Sequence, residues 1–272
     1  MISLAHIINP VNAPHFSDLS TAQPVTFAAM TQARSAASEP EKIQLYSAQF
    51  QDDRSMIPAG FIPTPNLTRS VLDFAPFRKK RRLPLIGDIL DRLYAHSHAD
   101  FLIYSNVDIA PMPYFYSAVR HLIRQGYDAF AVNRRTISAS FFSPSELPLM
   151  YAQAGKKHKG WDCFIFRRSL YHEFNLGHAC IGAGWIGRIL IMNLACLAEK
   201  FHIFTDFHLT FHLGNQKLWC SPAFKQYTDF NRREGKKILD HFDRSYGPLD
   251  RQSIPGSFYR TWENQESETE RP

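Results

Sequence analysis

Ala99-Asp100-Phe101-Leu102-Ile103-Tyr104-Ser105-Asn106-Val107-Asp108-Ile109 reads as a buried strand that stops at two metal-compatible polar residues. Pro111-Met112-Pro113 and a helix follow directly. Parallel α/β sheets bind ligands just beyond the carboxyl ends of such strands. A carboxylate there, with a carboxamide two residues before it, offers oxygen ligands to a hard divalent cation and the phosphates it carries. The same two residues also suit a plainer task, closing the strand and shaping a turn.

On either side of this stretch the chain alternates between two periods. Residues 2–9 read as a strand ending in Asn9-Pro10, and 24–37 as a helix. A second strand over 42–50 ends near Asp52-Asp53, and a proline-rich linker follows over 57–65. Leu85, Ile86, Ile89, Leu90, Leu93 and Tyr94 recur at helical spacing, with Pro84 in the first turn. Tyr114, Phe115, Ala118, Val119, Leu122 and Ile123 mark one face of the next helix. Gly126 ends it, and 127–132 is a strand. Strand–helix repetition of this kind predicts a mostly parallel sheet covered on both faces. The second half is less regular: a short strand at 161–166, an apolar helix at 188–198, and one or two strands at 201–211. The predicted domain is 1–248. The polar remainder, 249–272, reads as a disordered tail, most clearly from Gln265 onward.

The bulk numbers narrow the class. At 272 residues, 44% hydrophobic and 21% charged, the chain can bury a sizeable core as a globular protein. A net charge of +6 suits nucleic acid, an anionic membrane surface or a phosphorylated small molecule, and does not choose among them. Cys163, Cys180, Cys196 and Cys220 contain no CxxC pair, which argues against structural zinc and for free thiols in a reducing compartment. With no basic, apolar leader at the start and no apolar run of about 18 residues, a cytoplasmic protein without a membrane span is expected.

Other motifs have two readings each. Arg78-Lys79-Lys80-Arg81-Arg82 is a solvated patch or, just ahead of the helix feeding the Asp108 strand, a loop that holds a diphosphate. Gly182-Ala183-Gly184-Trp185-Ile186-Gly187 matches GxGxxG and has Asp206 downstream. Its preceding strand is poor and Trp185 is bulky, so the turn is expected to start a helix and shape one side of a cleft. Asp162, between Trp161 and an apolar strand, either bonds backbone or, against a cleft, binds sugar hydroxyls or acts as a general base. Trp161 beside it offers an apolar face to a sugar ring or fills the core. His208 and His212 share a strand face, and an imidazole there can complete a carboxylate–phosphate metal shell.

Taken together, the strand from residue 2, Arg82-Leu83-Pro84 leading into Asp88-Ile89-Leu90, Tyr104-Ser105-Asn106-Val107-Asp108-Ile109, Gly160-Trp161-Asp162-Cys163-Phe164-Ile165-Phe166 and His212-Leu213-Gly214-Asn215 resemble a bacterial GT-A-fold glycosyltransferase of the family-2-like kind. The resemblance spans roughly residues 2–220. It implies a single α/β domain of the nucleotide-diphospho-sugar transferase type. In that group an Asp-X-Asp motif holds Mn²⁺ or Mg²⁺ against the diphosphate of a nucleotide sugar. Here Asn106 replaces the first Asp, which removes one charge. The implied metal ligands are Asp108, Asn106 and His212. The expected donor-binding set is Asn9, Pro10, Asp52, Asp53, Arg82, Asp88, Asn106 and Asp108. Asp162 is the expected base, and Trp161, Gly184 and Trp185 the expected acceptor side. The implied partners are a nucleotide-sugar donor and a carbohydrate or other hydroxyl acceptor. Nucleic acid is not expected, and peripheral membrane contact is compatible with the charge. Two alternatives stay open: a GT-A-like domain that binds carbohydrate or a partner without catalysis, favoured by Asn106, and an NAD(P)-dependent oxidoreductase reading Gly182–Gly187.

Overall fold

The computed structural model describes residues 2–15, 17–215, 221–250 and 252–259. Its main sheet has seven strands in the order β10 (Phe201–Phe204), β6 (Ala129–Val132), β9 (Cys163–Arg167), β4 (Phe101–Ser105), β1 (Leu4–Ile8), β2 (Ile43–Ser47) and β3 (Ile62–Pro63). β9 alone runs against its neighbours, pairing antiparallel with β4 and β6. All other pairs in this sheet are parallel. The stretch quoted first is thus the central strand of a mostly parallel sheet.

Period-two alternation divides the core. Leu102 and Tyr104 of β4 face one layer, and Phe101 and Ile103 the other. On the first side pack α2 (Ile86–His96), α5 (Ile186–Leu197), α6 (Lys225–Tyr246) and the short α7 (Ile254–Ser257). On the second pack α1 (Leu19–Ala36) and α3 (Phe115–Arg124). A smaller sheet in the order β5 (Ala110–Pro111), β11 (Thr210–Leu213), β7 (Arg135–Ile137) and β8 (Lys156–Lys157) sits beside α1 and α4 (Leu147–Tyr151).

Two expectations are corrected, and one helix is added. α1 starts at Leu19 and runs through Pro24, so the proline lies inside the helix and not at its start. α6 is a helix that the sequence pattern does not announce. Its buried face is Tyr227, Phe230, Asn231, Glu234, Ile238, Leu239 and Phe242, and the two polar residues interrupt the apolar periodicity. The packed chain also continues past 248: Phe258 and Tyr259 are buried, and Phe258 lies 6.0 Å, ring to ring, from Trp161. Residues 260–272 and Cys220 fall outside the described residues.

Candidate functional site

The geometry follows from the strand directions. β1, β2, β4 and β6 present their carboxyl ends along one edge, and antiparallel β9 presents its amino end to the same edge. Ser105 and Val132 both lie opposite Cys163. Asn106–Asp108, Asn133–Arg134 and Asp162 therefore meet. The Asn106 N–H donates to the Asp162 carbonyl (3.3 Å).

Asn106 shapes the turn. Its carbonyl accepts from the Ile109 N–H at 3.1 Å, and its side-chain oxygen accepts from the Tyr104 hydroxyl at 3.0 Å. Asp108 is carried past it toward the small sheet. There β11 supplies His212, whose Nε2 lies 3.2 Å from Asp108 Oδ2. The other ring nitrogen, Nδ1, lies 2.9 Å from the Gly214 carbonyl. Two acceptors on two nitrogens require both to carry hydrogen, so the ring is an imidazolium. The electrostatics agree. Burial opposes charge on both members of the pair. The His212 hydrogen bond and charge, with help from Arg134, nevertheless hold Asp108 below its ordinary pKa. Asp108 in turn holds His212 above its own. Asp108 Oδ1 is buried and has no hydrogen-bond partner.

Asp162 behaves differently. Burial pushes its pKa up, assisted by the nearby Asp108 charge and opposed by Arg134. The Arg134 Nη1 lies 2.8 Å from Asp162 Oδ2, and His158 Nδ1 3.8 Å from the same oxygen. The Arg134 contact is an ion pair, not an aligned hydrogen bond. The two carboxyl groups in one cleft are thus driven apart, Asp108 below its ordinary pKa and Asp162 above it.

The expected donor residues gather at the ends of β1 and β2. Asn9 is buried and donates to the Ala48 carbonyl at 2.6 Å, joining the two strand ends beside buried Pro10. Asp53 accepts from the Asn12 N–H at 2.7 Å. Asp52 pairs with Arg82 at 3.0 Å, and the Arg82 guanidinium lies 4.0 Å over the Phe50 ring. Of the basic run, Arg82 faces this edge. Arg78 and Arg81 instead give their N–H groups to Gln226 and the Tyr227 hydroxyl on α6. Asp88 is buried and forked by Arg69, so its carboxylate is already engaged.

Gly182–Gly187 opens α5, as expected, but its small residues are required by protein and not by a phosphate. Asn231 of α6 donates to the Gly184 and Cys180 carbonyls and accepts from the Cys180 N–H. The Gly184 N–H donates to Thr228 Oγ1 at 3.1 Å. A Cβ on Gly184 would lie 2.9 Å from Thr228 Cγ2, and one on Gly187 3.0 Å from the Trp161 carbonyl oxygen. What precedes the motif is an isolated bridge, Leu85 to Cys180, and not a strand.

Arg134 and His158 join the site without having stood out in the sequence. A signal for Arg134 exists: Asn133-Arg134 follows the 127–132 strand just as Asn106-Val107-Asp108 follows β4, and the same strand-end rule reaches both.

Among the described residues, no group of three or more His, Cys, Asp and Glu side chains has the arrangement to hold a metal ion, and no helix is long and apolar enough to cross a membrane. No family model matches the chain, and no curated protein matches it. Solved structures do. Staphylococcus aureus TarS residues 1–349 in complex with UDP-GlcNAc aligns with a TM-score of 0.51 at 8% identity, over 89% of this chain and 70% of that one. The same TarS fragment with UDP gives 0.49 at 8% identity, over 89% and 69%. Mycobacterium tuberculosis glucosyl-3-phosphoglycerate synthase gives 0.46 at 15% identity, over 92% and 82%.

Proposed function

The chain has a GT-A-like glycosyltransferase fold, and from that premise we propose that it transfers a sugar from a nucleoside-diphosphate donor to a hydroxyl acceptor at the carboxyl edge of β4. One observation carries the reading: Asp108 Oδ1 is a buried, unpartnered anionic oxygen at that edge, and Asp162 lies across the same turn with the opposite protonation tendency.

An orphaned carboxylate oxygen fits a hard divalent cation, Mn²⁺ or Mg²⁺. Asp108 would hold it through Oδ1, with the Asn106 carboxamide oxygen beside it and His212 only after losing a proton. Without a three-residue cage, donor phosphates must complete the shell. Bound there, the ion would act as a Lewis acid on the departing diphosphate. The protein's own residues supply the rest. His212 places a positive charge beside Asp108, and Arg82 sits at the donor end of the edge. Asp162, with its raised pKa, accepts the acceptor proton if transfer inverts configuration, and contacts the donor sugar if transfer retains it.

UDP-GlcNAc, present in the TarS complex, makes UDP sugars the first donors to test. Thermal shift with UDP, UDP-GlcNAc and GDP, with and without Mn²⁺ and beside NAD and NADP, is the direct experiment. A nucleoside diphosphate should raise Tm by mass action, and Asp108→Ala should abolish the Mn²⁺-dependent part. No response to any nucleoside diphosphate, or an unchanged response in Asp108→Ala, removes the assignment. A second reading, donor binding without transfer, draws on Asn106 and on the His212 imidazolium that already neutralises Asp108. Product release from UDP-GlcNAc separates the two. The oxidoreductase alternative loses its support with the Gly182–Gly187 turn filled by Thr228, Asn231 and Trp161.

A further inference from the structure

β7 and β8 are antiparallel neighbours joined through residues 138–155. This excursion is closed at its neck. The Ser138 N–H donates to Gln153 Oε1 at 3.1 Å, and Arg135 donates to the Ala154 and Gly155 carbonyls. Its inner side is apolar and covered: Phe141, Leu147 and Met150 are buried with Val25 and Ala29 of α1. Its outer side is apolar and uncovered. Phe142 is 74% exposed and Leu149 62%, more than any other large apolar side chain among the described residues. The other exposed aromatics are tethered. Tyr114 donates its hydroxyl to the His208 carbonyl, Tyr246 to Glu173, and Phe207 lies stacked 4.8 Å from Phe204. Phe142 and Leu149 have no such tether among the described residues.

Local bonding holds the two side chains out. Glu146 Oε2 accepts from the Phe142 and Ser143 N–H groups at 2.8 and 2.9 Å, and Ser143 Oγ accepts from the Ser145 N–H at 3.3 Å. This capping box fixes the turn that leads into α4, and Pro144 and Pro148 stiffen the same stretch. The charge lies at the base. From residue 135 to 159 the cations are Arg135, Lys156, Lys157 and Lys159, and the one acid, Glu146, is engaged in the cap. Lys157 pairs with Asp206. Lys156 and Lys159 are exposed and make no hydrogen bond or ion pair among the described residues.

We infer that this hairpin docks the chain on an anionic bilayer, with Phe142 and Leu149 entering the interface and Lys156 and Lys159 meeting lipid headgroup phosphates. An apolar tip above a basic collar matches the layering of such a membrane, acyl chains beneath charged headgroups. Area argues against a protein partner. The two side chains offer roughly 300 Å², well short of the about 800 Å² that each side of a stable protein interface buries. A bilayer asks for no complementary shape. The inference is independent of the glycosyl-transfer reading, yet the two surfaces adjoin: the carbonyl of His158, between the two free lysines in sequence, accepts from Asn133 Nδ2 at 2.8 Å.

Co-sedimentation of the full chain with vesicles tests this, using phosphatidylcholine alone and phosphatidylcholine mixed with phosphatidylglycerol. Wild type should bind the anionic vesicles roughly tenfold or more tightly than the neutral ones, and added salt should erase most of that difference. Phe142→Ser with Leu149→Ser should weaken binding by roughly tenfold or more, the scale of leaving one large apolar side chain in water. Lys156→Gln with Lys159→Gln should weaken it by about fivefold per charge and flatten the salt dependence. Failure to bind anionic vesicles overturns the inference, as does binding that survives either double variant unchanged. Equal affinity for neutral and anionic vesicles refutes the basic collar. Size-exclusion chromatography tests the rival occupant: a concentration-dependent dimer that Phe142→Ser with Leu149→Ser abolishes gives the surface to a second copy and overturns the inference. Should that variant fail to fold, Phe142→Trp decides. Its added emission should shift to the blue on anionic vesicles, and an unshifted spectrum would refute insertion.

Discussion

Replacing Arg134 by methionine keeps most of the side-chain stem and removes its charge from Asp162. The two side chains are only 8% and 12% exposed, and the charged atoms lie 2.8 Å apart. Breaking one partner of a buried pair costs about 3–5 kcal/mol, against about 0–1 kcal/mol for an exposed pair. We expect the lower end, about 3 kcal/mol, because His158 Nδ1 at 3.8 Å gives Asp162 a remaining polar neighbour. Urea unfolding of wild type, Arg134→Met, Asp162→Asn and the double variant completes a cycle. Asp162→Asn removes the stranded charge, so the second substitution should cost much less in its background, with a coupling of about 2 kcal/mol. The pH dependence has a definite sign. Burial already raises the Asp162 pKa above its unfolded value, and Arg134 opposes that rise. Without Arg134 the folded-state pKa climbs further. A group that holds its proton more tightly in the folded state loses stability as pH rises from about 4, by about 1.4 kcal/mol for every tenfold gain in proton affinity. Arg134→Met should therefore be more damaging at pH 8 than at pH 5. A cost below about 1 kcal/mol, additive with Asp162→Asn and flat in pH, would refute a buried, functional ion pair.

His6 is buried between the Tyr116 hydroxyl (2.9 Å) and Ser105 Oγ (2.8 Å), and burial lowers its pKa to about 3. Its neutral form is bound more strongly by the fold, so the stability it contributes is present above about pH 6.5 and lost as pH falls toward 3. Unfolding at pH 5 should show a loss of about 2 kcal/mol relative to pH 8 that is absent in His6→Asn. Gly184→Ala drives a methyl group into Thr228 Cγ2 and should cost about 1–3 kcal/mol. Thr228→Ser, which keeps the hydroxyl and removes that methyl, should restore most of it in thermal melts. Asp162→Asn should cut turnover about a hundredfold or more with donor affinity retained, the scale of a lost general base. An unchanged rate makes the residue structural, and a matching loss of donor affinity makes it a sugar ligand.

The first half of the fold is legible in the sequence because its strands are uniformly apolar and its helices amphipathic. β4 occupies the apolar centre of the stretch quoted for it, ending just before Asn106, and α2 begins at Ile86, two residues after Pro84. α6 is not legible, because Asn231 and Glu234 occupy its buried face as partners of the 177–184 loop. A residue buried in order to satisfy another segment's backbone looks like surface when only its own type is seen. The same holds at the site. Asn106, Asp108 and Asp162 stand out because they flank apolar runs, and His212 because it repeats four residues after His208. Arg134 does not stand out, because Asn133-Arg134-Arg135 looks like an ordinary basic exit from a strand. Its role depends on β9 lying antiparallel between β4 and β6, a long-range pairing with no local signature.

That inserted strand is what separates the two carboxyl groups chemically. A parallel β9 would send Cys163 to the opposite edge and leave Asp162 far from Asp108. Reversed, it delivers Asp162 against β6, where burial raises its pKa and the Arg134 charge opposes that rise. Asp108 escapes the same fate because the turn begun by Asn106 carries it out of the main sheet and onto His212 of the small one. The plain and the functional readings of Asn106 are therefore not rivals. By closing the turn on Tyr104 and Ile109, it leaves Asp108 with one oxygen committed to an imidazolium and one uncommitted. The uncommitted oxygen is where a ligand's charge has to be met.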